Sequence, residues 1–222
     1  MNNQLILKNQ YPIETKAIIF AMSIIALMAK QSLASNERNI VNSNILSSTD
    51  FWKYAKYMGN PRSLLMRAMH DNLPYETHAK RISRLFTKNS KLLLQSMETL
   101  ISYTIGKDML CNRQQMHNLY RIGAIWGVSE KNIHYILYKK IVPKVSDDWM
   151  LLDLKKGSDI EKIKKAYYAK IKWCHPDSFA GKDDIPVELI SLLKERFAIY
   201  SGAYNNLRAK KKFKIKKILE MI

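Results

Sequence analysis

Four consecutive residues, Cys174-His175-Pro176-Asp177, bring a thiol, an imidazole and a carboxylate onto one short stretch of chain. A thiol beside an imidazole suggests a nucleophile with its base, so a hydrolase using Cys174 is one reading. Adjacent residues on a helix point about 100° apart, however, and no third group orients the imidazole. The proline redirects the chemistry of its neighbours. It donates no backbone amide and disfavours helical geometry at the preceding residue, so a helix arriving from the N-terminal side must end at His175. His175 and Asp177 are then carried on a turn, where an exposed acid is well placed to pair with a cation on a partner. The bland reading of the same residues is a simple inter-helix turn, and at average residue usage His-Pro-Asp arises by chance in about one chain of this length in a hundred.

The flanking sequence shows how such a turn would be held. Ser158-Asp159-Ile160-Glu161 reads as a capping box, with the Ser158 hydroxyl accepting from the amide three residues on and Glu161 reaching back. Ile163, Tyr167, Ile171 and Cys174 follow on one helical stripe. After the turn comes a polar loop, Ser178 to Pro186, and then a second stripe ending in Phe197, Tyr200, Ala203-Tyr204 and Leu207. Two antiparallel helices packed through these stripes would hold His175 and Asp177 at the tip, facing solvent. Lys162, Lys165 and Lys172 recur at spacings of three and seven on one face of the first helix, with Lys164 to one side. A basic face of this kind steers a protein onto an acidic surface and raises the association rate more than the affinity.

Composition bounds the rest. The chain has 222 residues, 47% hydrophobic, with only 7 Gly and 6 Pro, which favours long helices, few tight turns and a real core. Its net charge of +18 is spread over both halves and favours acidic partners: nucleic acid, anionic lipid or an acidic protein surface. Cys111 and Cys174 form no C-x-x-C pair and no disulfide framework, and Cys174 on its stripe reads as a small buried thiol. His70, His78, His117 and His134 have no spacing that closes a metal site and read as ordinary surface or interface histidines. The longest apolar stretch, Ala17 to Ala29, lies between Lys16 and Lys30; it is too short to span a bilayer and suits a buried core helix. Gln31 to Ser35 only loosely mimics a signal-peptide cleavage site, so a cytoplasmic location is expected, with no transmembrane helix.

Helical patterns run from Pro12 to about Leu33, from an Asn36 cap through Ile45, and over about 62–70, 75–86, 90–105, 112–126 and 130–141, with a short aromatic segment at 51–57. Asn112 and Ser129 are caps, and Gly127 is a helix stop. Pro143 to Asp148 is polar and helix-breaking. The expected organisation is therefore all-α: a helical domain over 1–143, a linker at 144–148, a helical hairpin domain over 149–208 and a basic tail at 209–222.

From Trp149 to about Leu207 the chain resembles a J domain. Trp149, Leu152 and Leu154 stand where that family has its short first helix and lead-in, Ile163-Lys164-Lys165-Ala166-Tyr167 opens the second helix, and His175-Pro176-Asp177 forms the turn. The loop length and the Pro186-Val187-Glu188 restart resemble DjlA-like co-chaperones, which pair a C-terminal J domain with a TerB-like region. Ala21 to Ile40 and Leu119 to Ser129 resemble the two halves of a TerB-like domain. The resemblance implies that His175, Pro176 and Asp177, with Lys162, Lys164, Lys165 and Lys172, bind a DnaK-type chaperone at its ATPase domain and linker region. Docking would accelerate ATP hydrolysis; the chain itself would be no enzyme and need no cofactor. The N-terminal domain would select a client, a location or a second copy of the chain in a homodimer.

Several positions depart from these families. Asp153 replaces a glycine, Lys170 a core leucine and Ser178 a lysine, while Tyr168, Ala169 and Trp173 stand where basic residues are common. These departures bear on docking strength and fit a dedicated partner as readily as a weak one. In the TerB-like half, Ser32-Leu33 and Lys107-Asp108 occupy Asp-Gly positions, and Asn39 and Gln114 replace later acids, so the carboxylates a hard cation needs are missing and no metal is expected. Arg208, Lys210, Lys211, Lys212, Lys214, Lys216 and Lys217 form a run that would bind phosphate backbones or anionic lipid, dock as a helix, or remain solvated. The rival function is accordingly a basic nucleic-acid-binding or membrane-surface adaptor with a J-like fold that no longer activates a chaperone.

Overall fold

A computed structural model describes residues 13–32, 67, 70–86, 90–106 and 109–219 of the chain. Among these residues all regular structure is helical, with no strand. The Asn36-capped helix and the aromatic segment 51–57 lie outside the described residues, as does the pattern at 62–70 apart from residues 67 and 70. The chain divides into two compact units, one comprising 1–106 with 113–136 and the other 107–112 with 137–222. The polar stretch 144–148 falls within the second.

In the first unit, α1 (Ile13–Ser32) packs against α2 (Tyr75–Leu85) and α3 (Ser90–Ile105), and both of these meet α4 (Arg113–Trp126). Residues Ser23 to Ala29 are all buried, so this stretch of α1 is enclosed on every side, as its unbroken apolar run requires. Met97, Leu100, Ile101, Leu119, Ile122 and Ile133 complete a core with almost no exposure. The Trp126 indole donates to the Ala79 carbonyl at 2.9 Å, tying α4 to α2. Gln31 and Gln115 exchange reciprocal bonds between side-chain amide and backbone carbonyl, at 3.2 and 2.6 Å, which pins the end of α1 to the start of α4. The glycine stop after α4 takes a recognisable form. Gly127 adopts φ +69°, and the amide of Val128 reaches back to the Gly123 carbonyl at 2.9 Å, closing a Schellman cap.

One expectation fails here. His78 is not a surface or interface histidine: it is 2% exposed, and neither ring nitrogen has a hydrogen-bond partner. Its position on α2 beside Ala79 and Ile82, which are also buried, places it on the apolar stripe despite its polarity. Burial lowers its pKa below the ordinary imidazole value, and the Asp71 carboxylate 3.6 Å away opposes that shift only in part.

The second unit contains the end of α5 (Glu130–Ile141), the short α6 (Asp148–Leu151), α7 (Ile160–Ile171), a 3-10 turn (Pro176–Ser178) and the long α8 (Val187–Leu219). Asp147 caps α6, accepting from the amides of Trp149 and Met150 at 2.9 and 3.1 Å, and the Met150 amide above all holds its carboxyl below the usual range. Both α6 and α7 pack on α8. The stretch 209–219 is a continuation of α8 rather than a separate segment.

Candidate functional site

The pairing of α7 with α8 can be followed contact by contact. Lys211 donates to the Gly157 carbonyl at 2.7 Å, the rings of Tyr167 and Tyr204 stack 4.4 Å apart, and the His175 ring meets Phe197 edge-on at 5.1 Å. As residue numbers rise along α7 they fall along α8, so the helices are antiparallel. Ile163, Ile171, Cys174, Leu193, Tyr200, Ala203 and Leu207 are buried. The Tyr167 and Ser201 hydroxyls bond at 3.2 Å, so the seam carries a polar contact as well.

The start of α7 differs from expectation by one residue. Asp159, not Ser158, is the N-cap, and its carboxylate accepts from the Lys162 amide at 2.8 Å. Ser158 instead donates its hydroxyl to the Lys155 carbonyl at 2.8 Å. Gly157, at φ +93°, turns the chain just ahead, which puts the stronger acceptor at the helix terminus. The Lys162 amide, with its ammonium 3.1 Å away, holds the Asp159 carboxyl below its ordinary pKa.

At the other end, regular α7 stops at Ile171, and the amides of Cys174 and His175 both return to the Ile171 carbonyl. His175 then takes the extended backbone (φ −65°, ψ 136°) that a following proline demands. Its Nδ1 accepts from the Asp177 amide at 3.3 Å and lies 3.4 Å from the Asp177 carboxylate. The ring is fixed on its other side by Phe197. Asp177 is 89% exposed, whereas His175 is 40% exposed, so the acid projects fully while the imidazole is half-seated. Ser178, whose hydroxyl lies 2.7 Å from the His175 carbonyl and 3.2 Å from that of Trp173, closes the turn from below.

The lysines of α7 are not equivalent. Lys164, Lys165 and Lys172 are exposed, and among the described residues no carboxylate lies within ion-pair distance of them. Lys172 rests its ammonium over the Trp173 ring, 4.6 Å from the centroid. Lys162 is already paired with Asp159. Lys170 forms an ion pair with Asp153, so the two positions with unexpected charge meet each other across 17 residues of sequence. Asp153 also explains why a glycine suits its position. It sits at φ +54° in the Schellman cap of α6, with the Leu154 amide bonded to the Trp149 carbonyl at 2.8 Å. Aspartate is among the few residues with side chains that tolerate that backbone.

Arg196 is a residue that pattern reading passes over. Its guanidinium donates to the Ile141 carbonyl at 2.6 Å and to the Tyr200 hydroxyl at 3.1 Å, lying over the Tyr200 ring. The only sequence signal is an arginine four residues before Tyr200 on an otherwise apolar stripe. A cavity of about 100 Å³ lies beside it, lined by Met109, Ala169, Trp173, Cys174 and Leu193 among others. Burial pushes the Cys174 thiol above its ordinary pKa, and its sulfur contacts the Lys170 carbonyl. The His175 imidazole is turned to Asp177 and Phe197, so Cys174 and His175 do not form a nucleophile–base pair.

Elsewhere, among the described residues no group of three His, Cys, Asp or Glu side chains could hold a metal ion. Gln114 donates its amide to Asn118, which in turn donates to Gln31, so neutral amides occupy this end of α4. No helix among the described residues is long and apolar enough to cross a membrane. In the basic run, Lys210 pairs with Asp148 and Lys211 with the Gly157 carbonyl, so two of its cations fasten α8 to the rest of the hairpin. Comparison with known protein families, with curated proteins and with solved structures finds no match for this chain.

Proposed function

We propose that the chain is a cytoplasmic J-domain co-chaperone whose hairpin docks on a DnaK-type ATPase and stimulates ATP hydrolysis through His175-Pro176-Asp177. One observation carries this reading. A rigid antiparallel hairpin presents a nearly fully exposed carboxylate, Asp177, on a turn whose backbone is satisfied by internal hydrogen bonds. The carboxylate is therefore spare for a partner's cation, where a charge-assisted bond is strongest. The short α6, the buried α7–α8 seam and the exposed Lys164, Lys165 and Lys172 support the same reading. The pairing of Lys170 with Asp153 makes two departures from the J-domain pattern mutually compensating. The first unit, read as a TerB-like domain held by amides rather than by a metal, would recruit a client or partner.

In this mechanism the lysines bring the acidic ATPase surface to the hairpin, and the tip biases it toward its hydrolysis-competent state. The chain forms no covalent bond with its partner. The test is steady-state ATP hydrolysis by the cognate DnaK-type chaperone with and without the full chain. His175→Gln should keep helicity, lower melting by no more than about 2–4 °C through the lost Phe197 and Asp177 amide contacts, and abolish stimulation well below that temperature. Full stimulation by that variant would overturn the mechanism. Salt-sensitive binding to nucleic acid or anionic vesicles, lost on removing 208–222 and accompanied by no effect on hydrolysis, would favour an adaptor instead.

A further inference from the structure

Resting on that reading, we infer that Tyr168 and Trp173, interleaved with Lys165 and Lys172, form an aromatic–cationic docking face that selects a partner carrying an acidic surface with apolar recesses. Lys165, Tyr168 and Lys172 follow one another at three and four residues along α7 and its C-cap, on the side away from buried Ile163 and Ile171, and Trp173 adjoins Lys172. Tyr168 is 57% exposed and Trp173 40% exposed, a large apolar area left in water beside a functional tip.

Both rings are held in place. Tyr168 packs against Tyr167 with centroids 5.4 Å apart, and Trp173 lines the cavity beside Ala169 and Lys170 beneath the Lys172 ammonium. Pre-positioned aromatics lose little entropy on binding and fill recesses well, which is why Tyr and Trp dominate interface energetics. Among the described residues the two lysines have no carboxylate partner, unlike Lys162 and Lys170, so their charge is complementary to an acidic occupant. Glu161 precedes Lys165 by one turn but makes no ion pair with it.

Aromatics among cations also suit stacked nucleic-acid bases. Here the exposed Asp177 carboxylate stands four residues from Trp173, and it would repel phosphates while leaving a protein surface free to offer it a cation. The observations therefore favour a protein. The aromatic pair provides affinity and discrimination, and the lysines provide encounter rate.

Binding of the full chain to the cognate DnaK-type chaperone, followed by surface resonance across a salt series, separates these roles. Tyr168→Ala with Trp173→Ala should weaken binding by about tenfold or more, mostly through faster dissociation, and leave the salt slope in place. Lys165→Glu with Lys172→Glu should slow association and flatten the slope. Tyr168→Phe with Trp173→Phe should recover most of the lost affinity, and melting curves of each variant check that the hairpin is intact. Parental affinity in the alanine variant overturns the inference while leaving the co-chaperone reading standing. A parental chain that neither binds nor stimulates the chaperone overturns both. Binding of a single-stranded oligonucleotide that the alanine variant loses, with chaperone binding unaltered, replaces the protein occupant with nucleic acid.

Discussion

Asp177→Asn and Ser178→Ala change neighbouring residues and should have opposite consequences. The Asp177 carboxylate is 89% exposed, and among the described residues its ion-pair contact is with His175 Nδ1 at 3.4 Å. Exposed pairs of this kind contribute about 0–0.5 kcal/mol, which for a chain of this length moves the melting temperature by less than about 2 °C. Asp177→Asn should therefore melt with the parent and yet fail to stimulate ATP hydrolysis. The Ser178 hydroxyl, by contrast, sits 2.7 Å from the His175 carbonyl and closes the turn. Its loss removes one internal hydrogen bond, about 1 kcal/mol, and should lower melting by about 2–4 °C. Well below that temperature Ser178→Ala should retain most of the stimulation. Thermal unfolding followed by circular dichroism, paired with the hydrolysis assay, reads both effects. A fall of several degrees in Asp177→Asn would show that the carboxylate supports the fold, and parental stimulation by it would show that the tip does no work.

Two further outcomes concern the first unit. A methyl group built on Gly123 would come within 2.6 Å of Ile133 Cδ1 and 3.1 Å of the Val128 carbonyl, and Ile133 is fully buried. Overpacking of this kind outweighs the gain in helix propensity, so Gly123→Ala should lose about 1–2 kcal/mol in urea unfolding, and a stabilised variant would refute the packing. His78 has a lowered pKa, so the unfolded chain binds its proton more readily than the folded one. The stability due to this group is complete above about pH 6.5 and declines as pH falls from there through the folded pKa. The facing charges are Asp71, which favours protonation, and Lys30 and Arg81, which oppose it. Replacing His78 with leucine should flatten the loss of unfolding free energy between neutral and mildly acidic pH, and an unchanged slope would assign that loss to other groups.

Much of this architecture is written in local sequence. The apolar run from Ala17 sets α1, the 3.6-residue stripes set α2 to α5, Gly127 stops α4, and Pro176 makes His175 extended. Each of these follows from interactions within about four residues, where steric rules and hydrogen-bond geometry act regardless of the rest of the chain. Even there the N-cap of α7 moved by one residue, because Ser158 and Asp159 are both good caps and the backbone turn at Gly157 chose between them.

What the tertiary structure decided depends on register between distant segments. Whether Lys162 is available for a partner turns on Asp159 three residues away, but Lys170 meets Asp153, Arg196 meets the Ile141 carbonyl and His175 meets Phe197 only because the hairpin closes with one alignment. The same closure leaves Tyr168 and Trp173 in water, although their types alone would assign them to a core. His78 shows the converse. Its polarity places it at the surface, and the packing of α2 within its unit removes it from water. Residue type and spacing set which face of a helix is apolar; only the closed packing of the helices settles which polar groups find partners and which side chains remain exposed.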